Sequence, residues 1–159
     1  YQGADSERDI KDSLNRSVFC HGPAGTGKTQ YVATIAKHYI RGHRGVIWQS
    51  YPTYIMRLQT MFRNEAKDPF EYVMSIAESP KVLVIDDIGI EKLTDFVRQI
   101  TYMLINERYQ RQLVTLITSN KTLAEIDTLI HPGIASRIAG MCQVVAFNGR
   151  DLRLGRKIG

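Results

Sequence analysis

Gly22-Pro23-Ala24-Gly25-Thr26-Gly27-Lys28-Thr29 sets the reading of everything around it. It fits G-x-x-x-x-G-K-[ST], the phosphate-binding P-loop. Its glycines let successive backbone N–H groups turn inward around phosphates. A short apolar run, Ser17–His21, precedes it, and a helical pattern, Lys28–Arg41, follows with Val32, Ile35, Ala36 and Tyr39 on one face. A strand, a Gly-rich loop and then a helix aim the positive end of the helix dipole at the phosphates. The whole of Gly22–Thr29 is therefore predicted to hold ATP or ADP. Lys28 would reach the β- and γ-phosphates, and Thr29 would hold Mg²⁺ through its hydroxyl.

Downstream, strand-like runs alternate with helical patterns. The spacing predicts strands at Val46–Gln49, Lys81–Ile88, Leu113–Ser119 and Gln143–Phe147. Helices are predicted at Pro52–Glu65, Pro69–Glu78, Lys92–Gln112, Thr122–Leu129 and Gly133–Ala139. On Pro52–Glu65 the apolar spacing picks out Ile55, Leu58, Gln59 and Phe62. On Lys92–Gln112 it picks out Phe96, Ile100, Met103, Leu104 and Tyr109. Alternation of this kind implies an α/β fold, a five-stranded parallel sheet with helices on both faces. Ligands in such sheets sit at the carboxyl ends of the strands, so chemistry is expected just after each strand.

After the third strand stand Asp86-Asp87-Ile88-Gly89, a carboxylate behind four apolar residues, which is the Walker B pattern. Asp86 is expected in the Mg²⁺ shell. Asp87 is placed to orient the attacking water as a general base. Many ATPases of this type carry Glu there, and the shorter Asp reaches less far. After the fourth strand, Thr118-Ser119-Asn120 puts a polar residue between the first and third strands of a sheet ordered 5-1-4-3-2. Asn120 is there in position to bond the γ-phosphate or the attacking water, the role called sensor 1. Ahead of the fifth strand, Arg137 follows Ser136 on a short helix. It reads either as an arginine finger acting in trans on a neighbouring subunit's γ-phosphate or as a surface residue in an ion pair. Arg153, in the basic tail, reads as a second sensor at the nucleotide, as a DNA-phosphate contact, or as part of a disordered end.

The chain has 159 residues, enough for one domain with a proper core. Residues 1–16 are polar and of mixed charge, and read as a leader or linker remnant; residues 17–159 form the ATPase domain. The start at Tyr1, with no signal-peptide pattern, suggests a fragment of something longer. No apolar run approaches the roughly 18 residues of a membrane span, so no membrane-spanning helix is expected. Cys20 and Cys142 sit in apolar segments and read as reduced, buried thiols of a cytoplasmic protein. The histidines show no zinc-site spacing. The formal net charge is +5, and it is unevenly placed. Between Gln30 and Asn64 there is no acidic residue, while Lys37, Arg41, Arg44, Arg57 and Arg63 fall there. Tyr31, Tyr39, Trp48, Tyr51, Tyr54 and Phe62 are interleaved. This is the pattern expected where a protein meets nucleic acid, and equally that of a solvated helix face with its aromatics in the core.

Taken in order, GPAGTGKT, VLVIDDIG, LITSN and the Ser136-Arg137 pair resemble an AAA+ ATPase. Ile85–Asn120 and Ala135–Leu154 narrow the resemblance to the bacterial replicative helicase loaders of the DnaC/DnaI type. These loaders share a clade with IstB-like transposition helpers. The first stretch resembles the loader pattern of DDIG, a long helix ending in Glu-Arg-Tyr, and a strand ending Thr-Ser-Asn. The resemblance covers about residues 17–154 and implies an ATPase that binds single-stranded DNA. It further implies assembly as a spiral on the hexameric helicase and placement of that helicase on the exposed strand, with a separate N-terminal region gripping the helicase. It implies the reduced AAA+ form without a C-terminal helical lid. It also matches Pro52–Glu65 and Pro69–Glu78 to the element that lines the DNA channel, where Arg57 and Arg63 would contact DNA. The alternatives are an IstB-like helper on duplex DNA and a weakly hydrolysing nucleotide switch, which Asp87 in place of Glu supports. A small-molecule P-loop kinase is disfavoured, because the chain offers Asn120 and Ser136-Arg137 where a kinase needs an acceptor pocket and an Arg-rich lid.

Overall fold

The computed structural model describes residues 16–64, 67–89 and 92–151. The strands are β1 (Ser17–His21), β2 (Val46–Ser50), β3 (Val82–Ile88), β4 (Thr115–Ser119) and β5 (Cys142–Ala146). The helices are α1 (Lys28–Arg41), α2 (Tyr51–Arg63), α3 (Pro69–Ala77), α4 (Asp95–Gln110), α5 (Leu123–Leu129) and α6 (Ile134–Met141). All strand pairings are parallel, in the order β2-β3-β4-β1-β5. This is the predicted 5-1-4-3-2 sheet, with the P-loop leaving β1 between β4 and β5. The apolar runs of β3 and β4 are buried from both sides, as parallel strands under helices must be.

The two faces are covered unequally. On one, α1, alone among the described helices, lays Val32, Ile35, Ala36 and Tyr39 on Val18, Cys20, Val84 and Leu116. On the other, helices α2 to α6 enclose Phe19, Leu83, Ile85 and Ile117. Helix starts follow local chemistry. Asp68 accepts from the Phe70 N–H ahead of Pro69, and Thr94 accepts from the Val97 N–H, which starts α4 three residues later than the periodicity suggests. Thr122 and Glu125 form a reciprocal capping box.

Several expected core positions shift by part of a turn. Helix α2 buries Tyr51, Tyr54, Ile55 and Leu58, whereas Phe62 is 64% exposed. Helix α4 turns Val97, Ile100, Leu104 and Ile105 inward and leaves Tyr109 at the surface. Tyr39, Tyr51 and Tyr54 are core residues, so about half of the aromatics in the acid-free stretch are structural rather than displayed. The Glu-Arg-Tyr cluster at the end of α4 has a physical explanation as well. Arg108 is 0% exposed and crosses to the amino ends of β3 and β4. It donates from Nε to Thr115 Oγ1 (2.7 Å), from Nη1 to the carbonyls of Ile76 and Ser79 (3.1 Å each), and from Nη2 to those of Lys81 (3.0 Å) and Val114 (2.7 Å). It thus closes the carboxyl end of α3, where a cation is favoured by the helix dipole.

Among the described residues no helix follows β5, and none is long and apolar enough to cross a membrane. The leader at 1–16, except its last residue, and the tail carrying Arg153 lie outside the described residues.

Candidate nucleotide-binding site

The P-loop is a left-handed path at Gly22, Gly25 and Gly27. A side chain at Gly22 would run into the carbonyl oxygen of Phe147, and one at Gly25 into the carboxylate of Asp151. Both positions therefore need glycine for close approach as well as for φ. Lys28, at the first turn of α1, is only 7% exposed. Its Nζ donates to the carbonyls of Gly22 (2.7 Å) and Pro23 (2.6 Å), so the ammonium is fixed inside the loop it belongs to. Thr26 donates to the Pro23 carbonyl at 2.8 Å and tightens the same turn.

Two strands and a helix meet at Asp86, which is on β3 and bonds Thr118 of β4 and Thr29 of α1. Its Oδ1 accepts from Thr29 Oγ1 at 2.9 Å and from Thr118 Oγ1 at 2.6 Å. The Asp87 N–H donates in turn to Thr118 Oγ1 at 2.8 Å. Thr118 is the functional residue that sequence reasoning missed. The signal was present, since it is a hydroxyl inside the apolar run of β4, on the strand beside the one that carries Asp86. Among the described residues no group of three or more His, Cys, Asp and Glu side chains could hold a metal by itself. Thr29 and Asp86 instead offer two adjacent oxygens. That suits Mg²⁺, which takes one or two protein oxygens and completes its shell with phosphates and water.

Asp87 sits at a register shift between β3 and β4, where φ reaches 65°. A left-handed residue without glycine costs roughly 1–2 kcal/mol, and Asp and Asn carry it best because their short side chains bond locally. The backbone thus accounts for Asp rather than Glu here. Asp87 is exposed, and with Asn120 it borders a cleft of about 460 Å³ whose floor is Lys28, Thr29, Asp86 and Thr118. Asp87→Asn keeps the backbone preference and removes the base. ATP turnover is expected to fall about 100-fold with nucleotide affinity unchanged, the scale of a lost general base. Single-turnover kinetics beside equilibrium binding would measure both.

Arg137 does not line this cleft. It lies on α6 with Nε donating to Asn106 Oδ1 at 3.2 Å and Nη1 to Ser136 Oγ at 3.2 Å. No ion pair holds it among the described residues. Arg57, on the outer face of α2, covers the Tyr72 ring at 4.7 Å and donates to its hydroxyl at 3.3 Å. Arg63 is exposed on the same helix, beside Met56 (68% exposed) and Phe62. Burial pushes the Cys20 thiol up to about 12 and that of Cys142 higher still, so neither is a nucleophile at neutral pH.

Comparison with known proteins gives the following. The family described as IstB-like ATP binding protein matches residues 10–158. The replicative helicase loader DnaI of Bacillus subtilis (strain 168) is 26% identical over 106 residues, covering 66% of this chain and 33% of that protein. An ATP-binding protein of insertion sequence IS5376 from Geobacillus stearothermophilus is 24% identical over an alignment of 167 positions, covering 95% of this chain and 63% of the relative. The chain therefore spans less than two thirds of either relative's length. Among solved structures, the DnaC helicase loader superposes with a TM-score of 0.73 at 25% identity, over 91% of this chain and 86% of that one.

Proposed function

The chain belongs to the IstB-like ATP-binding protein family, and from that premise we propose that it is the ATPase unit of a replicative helicase loader, binding and hydrolysing ATP and engaging single-stranded DNA. The observation that carries this reading is the bonding of Thr29, Asp86 and Thr118 beneath a cleft bordered by Asp87 and Asn120. In it, Gly22–Thr29 wraps the phosphates with backbone N–H groups, and Lys28 turns its ammonium from the loop carbonyls toward the β- and γ-oxygens. Thr29 and Asp86 would hold Mg²⁺, which when bound neutralises charge on the phosphate oxygens. Asp87 accepts a hydrogen bond from the attacking water, orients it and takes its proton. Asn120 bonds the γ-phosphate or the same water. Arg137 acts on the cleft of the next subunit in a spiral assembly, so the isolated domain turns over weakly. The tail residue Arg153 remains a second-sensor proposal for the same nucleotide.

DNA meets the outer face of α2, where Arg57 and Arg63 supply phosphate contacts and Met56 and Phe62 supply apolar surface. Charge reversal at Arg57 and Arg63 is expected to weaken single-strand binding and to lower its log–log salt slope by about 1.4, at roughly 0.7 per lost phosphate contact. An unchanged slope would return this face to plain solvation. The partner is a hexameric helicase in the cytoplasm, gripped through a region outside the chain.

A second reading, an IstB-like transposition helper on duplex DNA, is favoured by the IS5376 relative's fuller coverage of this chain, 95% against 66% for DnaI. Capture of a replicative helicase together with a preference for single strands over duplex supports the loader. Duplex preference with no helicase capture supports the helper.

A further inference from the structure

Arg137 differs from the other well-fixed arginines of α4 and its flanks in how its charge is met. Arg111 pairs with Glu107 and Glu78, and Arg108 is enclosed by carbonyls. Arg137 is half-buried and meets only neutral groups among the described residues. These are Asn106 Oδ1 on Nε, Ser136 Oγ and the Gly133 carbonyl on Nη1 (3.2 and 3.5 Å), and the face of the Tyr102 ring 5.7 Å from the guanidinium carbon. Nη2 makes no hydrogen bond to the described residues.

The surroundings are themselves braced. His131 stacks on the Tyr102 ring at 4.1 Å, and Asp127 Oδ1 accepts from the N–H groups of both Gly133 and Ala135 at 3.0 Å, capping α6. A guanidinium whose plane is set by bonds on Nε and Nη1 and by one ring face, with only neutral partners and its Nη2 edge open, is preorganised for an external anion. The anion is not the nucleotide of its own chain, because Arg137 does not line that cleft.

We propose that Tyr102 and Asn106 of α4 are positioning residues for Arg137, holding its guanidinium ready for the terminal phosphate of a nucleotide bound by a second copy of this chain. The inference rests on the trans reading of Arg137 and extends it to the residues that make it work. Tyr102 supplies a π-face that favours the cation without neutralising it. Asn106 supplies a neutral acceptor that fixes the plane. A carboxylate in its place would cancel the charge meant for the phosphate.

Steady-state ATP turnover of the whole chain, over a range of protein concentrations on single-stranded DNA, tests this. The variants are Arg137→Ala, Tyr102→Leu, Tyr102→Phe and Asn106→Leu, each also mixed with Lys28→Ala, which keeps its own Arg137 but lacks nucleotide. Tyr102→Leu and Asn106→Leu are expected to lower assembled-state kcat about 10-fold or more, as misplacement of a catalytic group does, with KM for ATP unchanged. Tyr102→Phe keeps the ring and should keep kcat. Admixed Lys28→Ala should restore turnover to Arg137→Ala, Tyr102→Leu and Asn106→Leu alike. Arg137→Ala losing turnover equally at every concentration, with no rescue, would overturn the trans role and this inference with it. Rescue of Arg137→Ala beside full kcat in both Tyr102→Leu and Asn106→Leu would overturn the positioning role alone. Thermal melts identify a variant that fails to fold, and Asn106→Leu then decides.

Discussion

Lys28→Ala is expected to abolish nucleotide binding while leaving the chain folded. The side chain is anchored on the Gly22 and Pro23 carbonyls of its own loop, and water can take over those carbonyls when it is gone. Phosphate oxygens have no such replacement. Hydrogen bonds to charged groups contribute about 1.5–3 kcal/mol each. Losing two of them therefore weakens ATP binding by roughly 100-fold at least. Titration with a fluorescent ATP analogue reads the loss, and an unchanged circular dichroism spectrum shows that the fold survives. Wild-type affinity in Lys28→Ala would remove the phosphate-loop assignment.

Arg108→Met should have the opposite profile, with large damage to stability and little to the site. The guanidinium serves Thr115 Oγ1 and four backbone carbonyls within 3.1 Å, at the carboxyl end of α3 and the amino ends of β3 and β4, away from the nucleotide cleft. Methionine fills similar volume but donates nothing, so buried acceptors of α3, β3 and β4 lose their partner together. Each orphaned acceptor costs about 1–3 kcal/mol, and removing one partner of a buried charged network typically costs about 3–5 kcal/mol. For a domain of this size that is a fall in melting temperature of roughly 10 °C. Burial lowers the Arg108 pKa only to about 10, so it is charged at neutral pH and its loss is the loss of a cation at the carboxyl end of α3. Calorimetry checks the shift, and ATP affinity below the transition should match wild type. A melting temperature within a degree or two of wild type would mean that water replaces the guanidinium.

These two residues also mark what the sequence could and could not reveal. Around Lys28 every local signal agrees: an apolar strand, glycines where φ is positive, and an amphipathic helix after them. The strand order came with the phosphate-loop motif, because sheets that carry it share the order 5-1-4-3-2 found here. Arg108 was invisible for the converse reason. An arginine in a helix reads as surface, and only the convergence of α3, β3 and β4 turns it into a core residue. The left-handed bulge at Asp87 was hidden likewise, being made by a register shift between two strands. Composition carries no direction and leaves Tyr51 and Tyr54 equally readable as display or core residues, whereas the packing of α2 on β2 and β3 turns them inward. The role of Thr118 is not visible in its motif, since its bonds to Asp86 and to the Asp87 N–H form only when β3 lies beside β4.

Fluorescence polarisation of a labelled oligothymidine, titrated with the wild-type chain in Mg²⁺ with a non-hydrolysable ATP analogue and without nucleotide, tests the central claim most directly. An ATP-dependent single-strand-binding ATPase predicts markedly tighter binding with the analogue, lost in Lys28→Ala and competed poorly by duplex of the same length. Equal affinity with and without nucleotide, or stronger binding to the duplex, would contradict it.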